Sequence, residues 1–265
     1  MKLNKTIIGA LHLAPLLGYS GCPGKDEIIR LALDDLKSFQ EGGIDAIIYE
    51  NNYDLPHTEK ISDANYQLML AVGKKLNEVA NVPLGVNVLW NDYKSALKLA
   101  KELNLSFVRV PVLVDDVETS YGTFVAPMKE VLKYRTKIGA DNTLIYADIH
   151  VKHSKIVSDY TIEESAKLAI DVGADGLIIT GRWTGDSPDT EDLKRVRRAV
   201  GEFPIIIGSG ADKDNIKVLT KYADAVIVST SLKQGPIDTS LTNLSEWSQR
   251  ISAQKTREFM NIVKR

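Results

Sequence analysis

The stretch Gly43-Ile44-Asp45-Ala46-Ile47-Ile48 ends an amphipathic segment, turns, and begins a short apolar run. The same arrangement returns at Gly173-Ala174-Asp175-Gly176-Leu177-Ile178 and at Tyr222-Ala223-Asp224-Ala225-Val226-Ile227. A short, continuous apolar run is typical of a strand that is covered on both faces in a parallel sheet. This weak internal repeat therefore predicts strand–helix units that lie side by side.

Eight apolar runs rich in Ile and Val alternate with longer amphipathic stretches. The runs are Thr6–Leu11, Asp45–Glu50, Pro83–Leu89, Phe107–Val112, Thr143–His150, Asp175–Thr180, Pro204–Gly208 and Asp224–Ser229. The helical stretches are Asp26–Glu41, Asn65–Glu78, Asp92–Leu103, Pro127–Lys137, Thr161–Asp171, Thr190–Val200, Lys213–Lys221 and Leu244–Lys264. Eight such alternations predict one α/β domain over residues 1–265, closed into a (β/α)8 TIM barrel.

An open, doubly wound sheet is the alternative architecture. Sheets of that kind that bind dinucleotides carry a glycine-rich loop after the first strand. Here the first strand is followed by Leu13-Ala14-Pro15-Leu16, which lacks those glycines. We therefore favour the barrel and expect no dinucleotide cofactor.

Composition narrows the class of protein further. The 265 residues are 44% hydrophobic and 26% charged, and 33 basic against 35 acidic residues give a net charge of −2. This balance gives no indication of nucleic-acid binding. The single cysteine, Cys22, favours a reducing compartment, and no apolar run approaches the ~18 residues that span a bilayer. We therefore expect a cytoplasmic protein without membrane insertion, and we leave a homo-oligomer open.

The active sites of such barrels form at the carboxyl ends of the strands. The ionisable residues predicted at those ends are the candidate catalytic residues His12, Glu50, Asp148, His150 and Lys152. Because strand side chains alternate, Asp148, His150 and Lys152 are expected to share one face. This cluster could transfer protons, pair with an anionic substrate or form a buried salt bridge, and Lys152 could instead form a Schiff base.

Other strand ends carry polar residues suited to binding. The candidate substrate-binding residues are Asn51, Asn87, His153 and Thr180. A divalent metal is a further possibility, held by Asp148 and His150, although no compact ligand motif occurs in the sequence.

The loops after the last two strands are rich in glycine and hydroxyl residues. In barrels of this kind these loops hold phosphate groups through backbone N–H groups, and glycine lets the backbone approach the anion. The candidate phosphate-binding residues are Gly181, Gly208, Ser209, Gly210, Ser229 and Thr230. The plainer explanation is that these residues only form tight turns, but the pattern occurs in both loops together.

Several motifs together resemble one family. They are Gly9–Leu16, Glu50-Asn51 with Asp54 and Pro56, Gly85–Leu89, Ala147–His153, Thr180-Gly181 and Gly208–Gly210. The chain is similar over nearly its whole length to the BtpA/SgcQ family, with departures at Asn52-Tyr53 and Trp90. The resemblance implies a phosphate-binding TIM barrel. The family includes a photosystem I biogenesis factor and a branch that accompanies sugar-uptake genes.

Two functional hypotheses follow. The first is an enzyme that acts by acid–base catalysis on a small phosphorylated metabolite, a sugar or nucleoside phosphate, through isomerisation or through cleavage of a C–C or glycosidic bond. The second is a noncatalytic assembly or stability factor, which would need an exposed apolar patch for a partner protein.

Overall fold

The computed structural model describes residues 3–235 and 246–264, and most of them belong to strands or helices. The described strands are β1 Thr6–His12, β2 Ala46–Glu50, β3 Leu84–Asn87, β4 Phe107–Val110, β5 Val117–Thr119, β6 Gly122–Phe124, β7 Leu144–Ile149, β8 Ser154–Ile156, β9 Gly176–Ile179, β10 Ile205–Ile207 and β11 Ala225–Val228. The described α-helices are α1 Lys25–Glu41, α2 Asp63–Val79, α3 Tyr93–Leu103, α4 Lys129–Lys137, α5 Ile162–Asp171, α6 Thr190–Val200, α7 Ile216–Leu219 and α8 Ala253–Val263.

Eight of the strands form a closed barrel. Around its wall they follow the order β1, β2, β3, β4, β7, β9, β10 and β11, and β11 pairs with β1 to close the ring. Every one of these pairings is parallel. The predicted (β/α)8 barrel is therefore confirmed, and the carboxyl ends of all eight strands meet at one end of it.

The interior of the barrel is filled by side chains from alternate strand positions. Phe107 and Tyr146 are fully buried there, with ring centroids 5.0 Å apart. Gly85 makes room for them, because a β-carbon at this position would lie 2.4 Å from the Phe107 ring. Large and small residues thus complement one another, and the barrel has a packed core.

Some helix and strand boundaries differ from the prediction. The strand predicted to reach His150 ends at Ile149, because His150 adopts a left-handed backbone with φ of 48°. Only Ile216–Leu219 of the helix predicted over Lys213–Lys221 is helical. The last helix begins at Ala253, and the first two residues of its predicted span, 244 and 245, lie outside the described residues.

A second, three-stranded sheet was not predicted. Its order is β6-β5-β8, and both pairings are antiparallel. Because β5 and β6 follow β4 while β8 follows β7, this sheet joins two loops at the carboxyl end of the barrel. Val117 of β5 forms a small apolar cluster with Trp90, Val112 and Val151. None of the helices within residues 3–235 and 246–264 is long and apolar enough to cross a membrane.

Candidate functional site

A cavity of about 720 Å³ opens at the carboxyl end of the barrel. The sequence-predicted site residues that line it are His12, Glu50, Lys152, His153, Gly208, Ser209, Gly210, Ser229 and Thr230. Those that lie outside its lining are Asn51, Asn87, Asp148, His150, Thr180 and Gly181. Both loops of the predicted phosphate site therefore share one cavity with three of the five candidate catalytic residues.

The cavity also contains an arginine that sequence reasoning missed. Arg109 lies in β4 and is buried, at 7% exposed. Its Nε and Nη2 atoms each donate a hydrogen bond of 2.8 Å to the carboxylate of Asp148. Its third nitrogen, Nη1, lies 3.5 Å from Oε1 of Glu50. One guanidinium thus lies between two carboxylates at the barrel mouth.

Asp148 is held behind Arg109 and does not line the cavity. Its side chain is completely buried, and both of its oxygens accept hydrogen bonds from the guanidinium. A bidentate pair of this kind fixes the plane and position of the arginine. The geometry therefore gives Asp148 a positioning role.

Glu50 is buried as well but is far less constrained. Its Oε1 atom has no hydrogen-bond partner among the described residues. Its Oε2 atom lies 3.9 Å from Nε2 of His12. Burial lowers the pKa of His12 well below its usual value, with a further contribution from nearby Lys233. His12 is therefore neutral near pH 7, and it lies beside a carboxylate that lines the same cavity.

Asn87 stands beside Glu50 in the register between β2 and β3. Its amide is buried, and neither its nitrogen nor its oxygen has a hydrogen-bond partner among the described residues. Asn51 differs, because its Nδ2 donates to Asp54 and its Oδ1 accepts from the N–H of Leu89. Asn51 thus stabilises two loops.

Lys152 brings an amine into the cavity. Within the described part of the chain its Nζ makes no hydrogen bond and has no carboxylate oxygen within the 4.0 Å of an ion pair. Burial lowers the pKa of Lys152 to about 8, and the neighbouring charge of Arg109 acts in the same direction. Its backbone N–H donates to Oγ1 of Thr180 at 3.0 Å, so Thr180 supports the segment that carries the lysine.

His150 departs from the predicted arrangement. Asp148, His150 and Lys152 were expected on one face, but the strand ends before His150 and its backbone turns. Its ring Nε2 lies 3.2 Å from the carbonyl oxygen of Tyr160, away from the cavity lining. Across the described residues no three His, Cys, Asp or Glu side chains gather as metal ligands. Asp148 and His150 therefore do not converge on one ion.

The two loops of the predicted phosphate site are tied to the loop after β9. Oγ of Ser209 accepts from the N–H of Gly181 at 3.0 Å and donates to the carbonyl of Asp186 at 2.9 Å. Gly210 has φ of 67°, and a β-carbon there would lie 2.2 Å from the backbone of Asp186. In the loop after β11, the buried Oγ of Ser229 has no partner among the described residues. Ser209 is thus engaged by the protein, whereas Ser229 lines the cavity with a buried hydroxyl that lacks a partner among the described residues.

Comparison with known sequences places the chain among proteins that carry the BtpA name. A photosystem I biogenesis protein BtpA of Synechocystis is 36% identical, over 88% of this chain and 82% of that protein. An uncharacterized protein of Pyrococcus horikoshii is 35% identical, over 88% of this chain and 89% of that one. A putative sgc region protein SgcQ of Escherichia coli is 25% identical, over 93% of this chain and 92% of that one.

Solved structures share the fold at much lower identity. A phosphoribosyl anthranilate isomerase of Thermus thermophilus superposes with a TM-score of 0.59 at 12% identity, covering 98% of each chain. A (S)-3-O-geranylgeranylglyceryl phosphate synthase of Thermoplasma acidophilum, in complex with sn-glycerol-1-phosphate, has a TM-score of 0.59 at 13% identity, over 98% of this chain and 94% of that one. The profile of the BtpA family matches residues 3–265, and the chain belongs to that family.

Proposed function

We propose that the cavity binds a small phosphorylated metabolite, a sugar or nucleoside phosphate, and that the protein acts on it by acid–base catalysis. The observation that carries this proposal is that the predicted phosphate loops and a group of charged side chains line the same cavity. The glycine-rich loops after β10 and β11 form one side, and Glu50, Arg109 and Lys152 form the floor.

Support for the phosphate comes from Ser229. A buried hydroxyl without a hydrogen-bond partner costs about 1–3 kcal/mol, and a phosphate oxygen in the cavity would offset that cost. Gly208 and Gly210 contribute backbone to the lining of this side of the cavity. Asp212 also lines this side, but its Oδ1 already accepts from the N–H groups of Asp214 and Asn215. Two enzymes that share the fold are named for a phosphoribosyl compound and a glyceryl phosphate.

Support for acid–base catalysis comes from Glu50 and Lys152. Glu50 would accept a proton from the substrate, while the Lys152 ammonium would donate one to the oxygen on which negative charge develops. In an isomerisation, protonated Glu50 would then give its proton to the neighbouring carbon, and neutral Lys152 would take one from the neighbouring hydroxyl, so both groups end in their starting states. A pKa of about 8 suits Lys152 to this task, because general acids work best with a pKa near the working pH.

A thermal-shift comparison tests the binding step. Ribose 5-phosphate and glucose 6-phosphate should raise the melting temperature, and ribose and glucose at the same concentrations should not. Each kcal/mol of binding free energy is worth roughly 2–4 °C for a protein of this size. Equal shifts for the sugars and their phosphates would rule out the phosphate site.

The Schiff-base alternative for Lys152 has its own test. A neutral amine that attacks a substrate carbonyl forms a C=N bond and releases water, and borohydride reduces that bond to a stable secondary amine. Mass spectrometry after borohydride treatment with the substrate would then find the added mass on the peptide that contains Lys152. An unmodified peptide under turnover conditions would leave Lys152 as a proton donor.

The noncatalytic alternative depends on the name of the Synechocystis relative and on exposed apolar residues near the mouth. Val125 and Trp183 are 73% and 62% exposed. Complementation of cells that lack the protein separates the two proposals. Catalysis predicts that Glu50→Gln abolishes rescue and Val125→Ser does not, whereas an assembly factor predicts the reverse.

A further inference from the structure

We propose that the ligand of this cavity is a phosphate ester whose other end is a planar aromatic group, of the size of a nucleobase. This inference builds on the proposed function, since it takes the phosphate to bind at the loops after β10 and β11. It goes further by naming what occupies the opposite side of the cavity.

Four of the aromatic rings that line the cavity come from neighbouring loops, and we call them the aromatic wall: His57, Trp90, Tyr121 and His153. Trp183, from the loop after β9, also lines the cavity and lies 5.6 Å from the ring of His153. The four rings of the wall belong to the loops after β2, β3, β4 and β7, and these four strands are consecutive around the barrel. The wall is thus a surface built by neighbouring loops, and it is not a scatter of single residues.

The barrel order places the centre of this wall, Trp90 and Tyr121, opposite the phosphate side. In the closed ring of eight strands, β3 is four positions from β10, and β4 is four positions from β11. Trp90 and Tyr121 therefore lie across the mouth from the loops that contain Gly210 and Ser229. A ligand anchored by its phosphate at those loops reaches the aromatic wall by crossing the floor formed by Glu50, Arg109 and Lys152.

Contacts within the protein hold the rings in place. Trp90 stacks on Phe124 with centroids 5.3 Å apart, and Phe124 lies behind it, outside the cavity lining. The rings of His57 and Tyr121 meet edge to face at 5.0 Å. Oγ1 of Thr184 lies 2.8 Å from Nε2 of His153. Rings fixed in this way lose little further conformational freedom when a planar group binds beside them.

The wall is also uncharged where it faces the cavity. Burial lowers the pKa of both His57 and His153 to about 4, so both rings are neutral near pH 7. The charged residues beside the wall, Glu118 and Lys155, are exposed and lie 3.9 Å from each other. A neutral aromatic surface opposite a phosphate site suits a ligand that is anionic at one end and aromatic at the other.

The polar atoms of the wall allow hydrogen bonds to such a ring. Nδ1 of His57 is buried and has no hydrogen-bond partner of normal geometry among the described residues, although the backbone of Asp54 lies close enough to the ring to raise its pKa against the effect of burial. A nucleobase edge carries donors and acceptors that can pair with an imidazole nitrogen. A cavity of about 720 Å³ also falls in the range of roughly 300–1,000 Å³ that holds ligands larger than a sugar phosphate.

Isothermal titration calorimetry with four probes tests the proposal. Ribose 5-phosphate carries only the phosphate end, adenosine carries only the aromatic end, and AMP and UMP carry both. We expect at least one nucleotide to bind about 5- to 100-fold more tightly than ribose 5-phosphate, the range that stacking of a base on an aromatic side chain provides. Nucleotides that bind no more tightly than ribose 5-phosphate would overturn the aromatic wall and leave the phosphate site standing.

A matched pair of tyrosine variants tests whether the aromatic wall causes the tighter binding of nucleotides. Tyr121→Ala should bring nucleotide affinity down to that of ribose 5-phosphate and leave ribose 5-phosphate binding unchanged. Tyr160→Ala is the control, because Tyr160 is 41% exposed and lies outside the cavity lining. If both variants weaken nucleotides equally, or if Tyr121→Ala weakens ribose 5-phosphate as much as AMP, the proposal fails. If ribose 5-phosphate and both nucleotides fail to bind the unchanged protein, the proposed function itself fails.

Discussion

The ends of β2 and β7 each carry a buried carboxylate beside Arg109, and the two are held differently. Asp148 receives two hydrogen bonds of 2.8 Å and has no exposed side-chain surface. Glu50 lies 3.5 Å from the same guanidinium and lines the cavity. Buried charge alone therefore does not mark a catalytic residue. The carboxylate with its hydrogen bonds satisfied holds Arg109 in place, and the one that lines the cavity has an oxygen without a hydrogen-bond partner among the described residues.

The largest expected effect is on stability. Asp148→Ala leaves the guanidinium of Arg109 buried without its main partner, so it should lower the free energy of unfolding by about 3–5 kcal/mol. Urea denaturation measures this value. Glu50→Gln is the matched change at the other carboxylate and should cost about 1 kcal/mol or less. Equal losses of unfolding free energy for the two variants would show that Asp148 and Glu50 do not differ in how they stabilise the site.

The second effect is on turnover. Glu50→Gln should lower the rate on a phosphorylated substrate by about 100-fold or more, because positioned general bases contribute at least that much. The rate is measured on a substrate identified by mass spectrometry after incubation with a metabolite mixture. Ligand affinity should change little. A variant that keeps full activity would remove Glu50 from the mechanism.

The third effect is a pH dependence that sharpens the role of Lys152. The pKa of Lys152 is lowered to about 8, so the ammonium form is present below that pH and is lost above it. If the ammonium donates the proton, turnover should fall about tenfold per pH unit above pH 8. Lys152→Met should be weakly active, and its profile should lack this decline. A flat profile in the unchanged protein would show that Lys152 is not the proton donor.

The smallest effect concerns the phosphate side. Ser229→Ala removes one neutral hydrogen bond and should weaken ribose 5-phosphate binding about 2- to 10-fold. Ser231→Ala is the control, because Oγ of Ser231 already donates to the carbonyl of Ala211 at 2.8 Å. Calorimetry on both variants gives the comparison. Equal losses would indicate a general disturbance of the loop.

Periodicity predicted the barrel well because each strand–helix unit repeats the same local pattern, as at residues 43–48 and 173–178. It failed beyond the strand ends, where single backbone angles decide which way a side chain points. The alternation of side chains along a strand predicted that His150 lies on the same face as Asp148. The backbone of His150, with φ of 48°, leaves the strand and turns the side chain away from that face. The sequence does contain one signal that could have identified Arg109. Arg109 interrupts the apolar strand Phe107–Val112, and a charge inside such a strand needs a buried partner.

The pairing of β5 with β8 joins loops that are separated along the chain, at Val117↔Ile156 and Thr119↔Ser154. In most barrels of this fold each loop at the mouth can lengthen or shorten without regard to its neighbours. Here a one-residue insertion in either strand would shift the pairing and turn alternate side chains to the opposite face. The lengths of the loops after β4 and β7 are therefore expected to change together among relatives. A relative with an insertion in one of these loops should have a compensating change in the other.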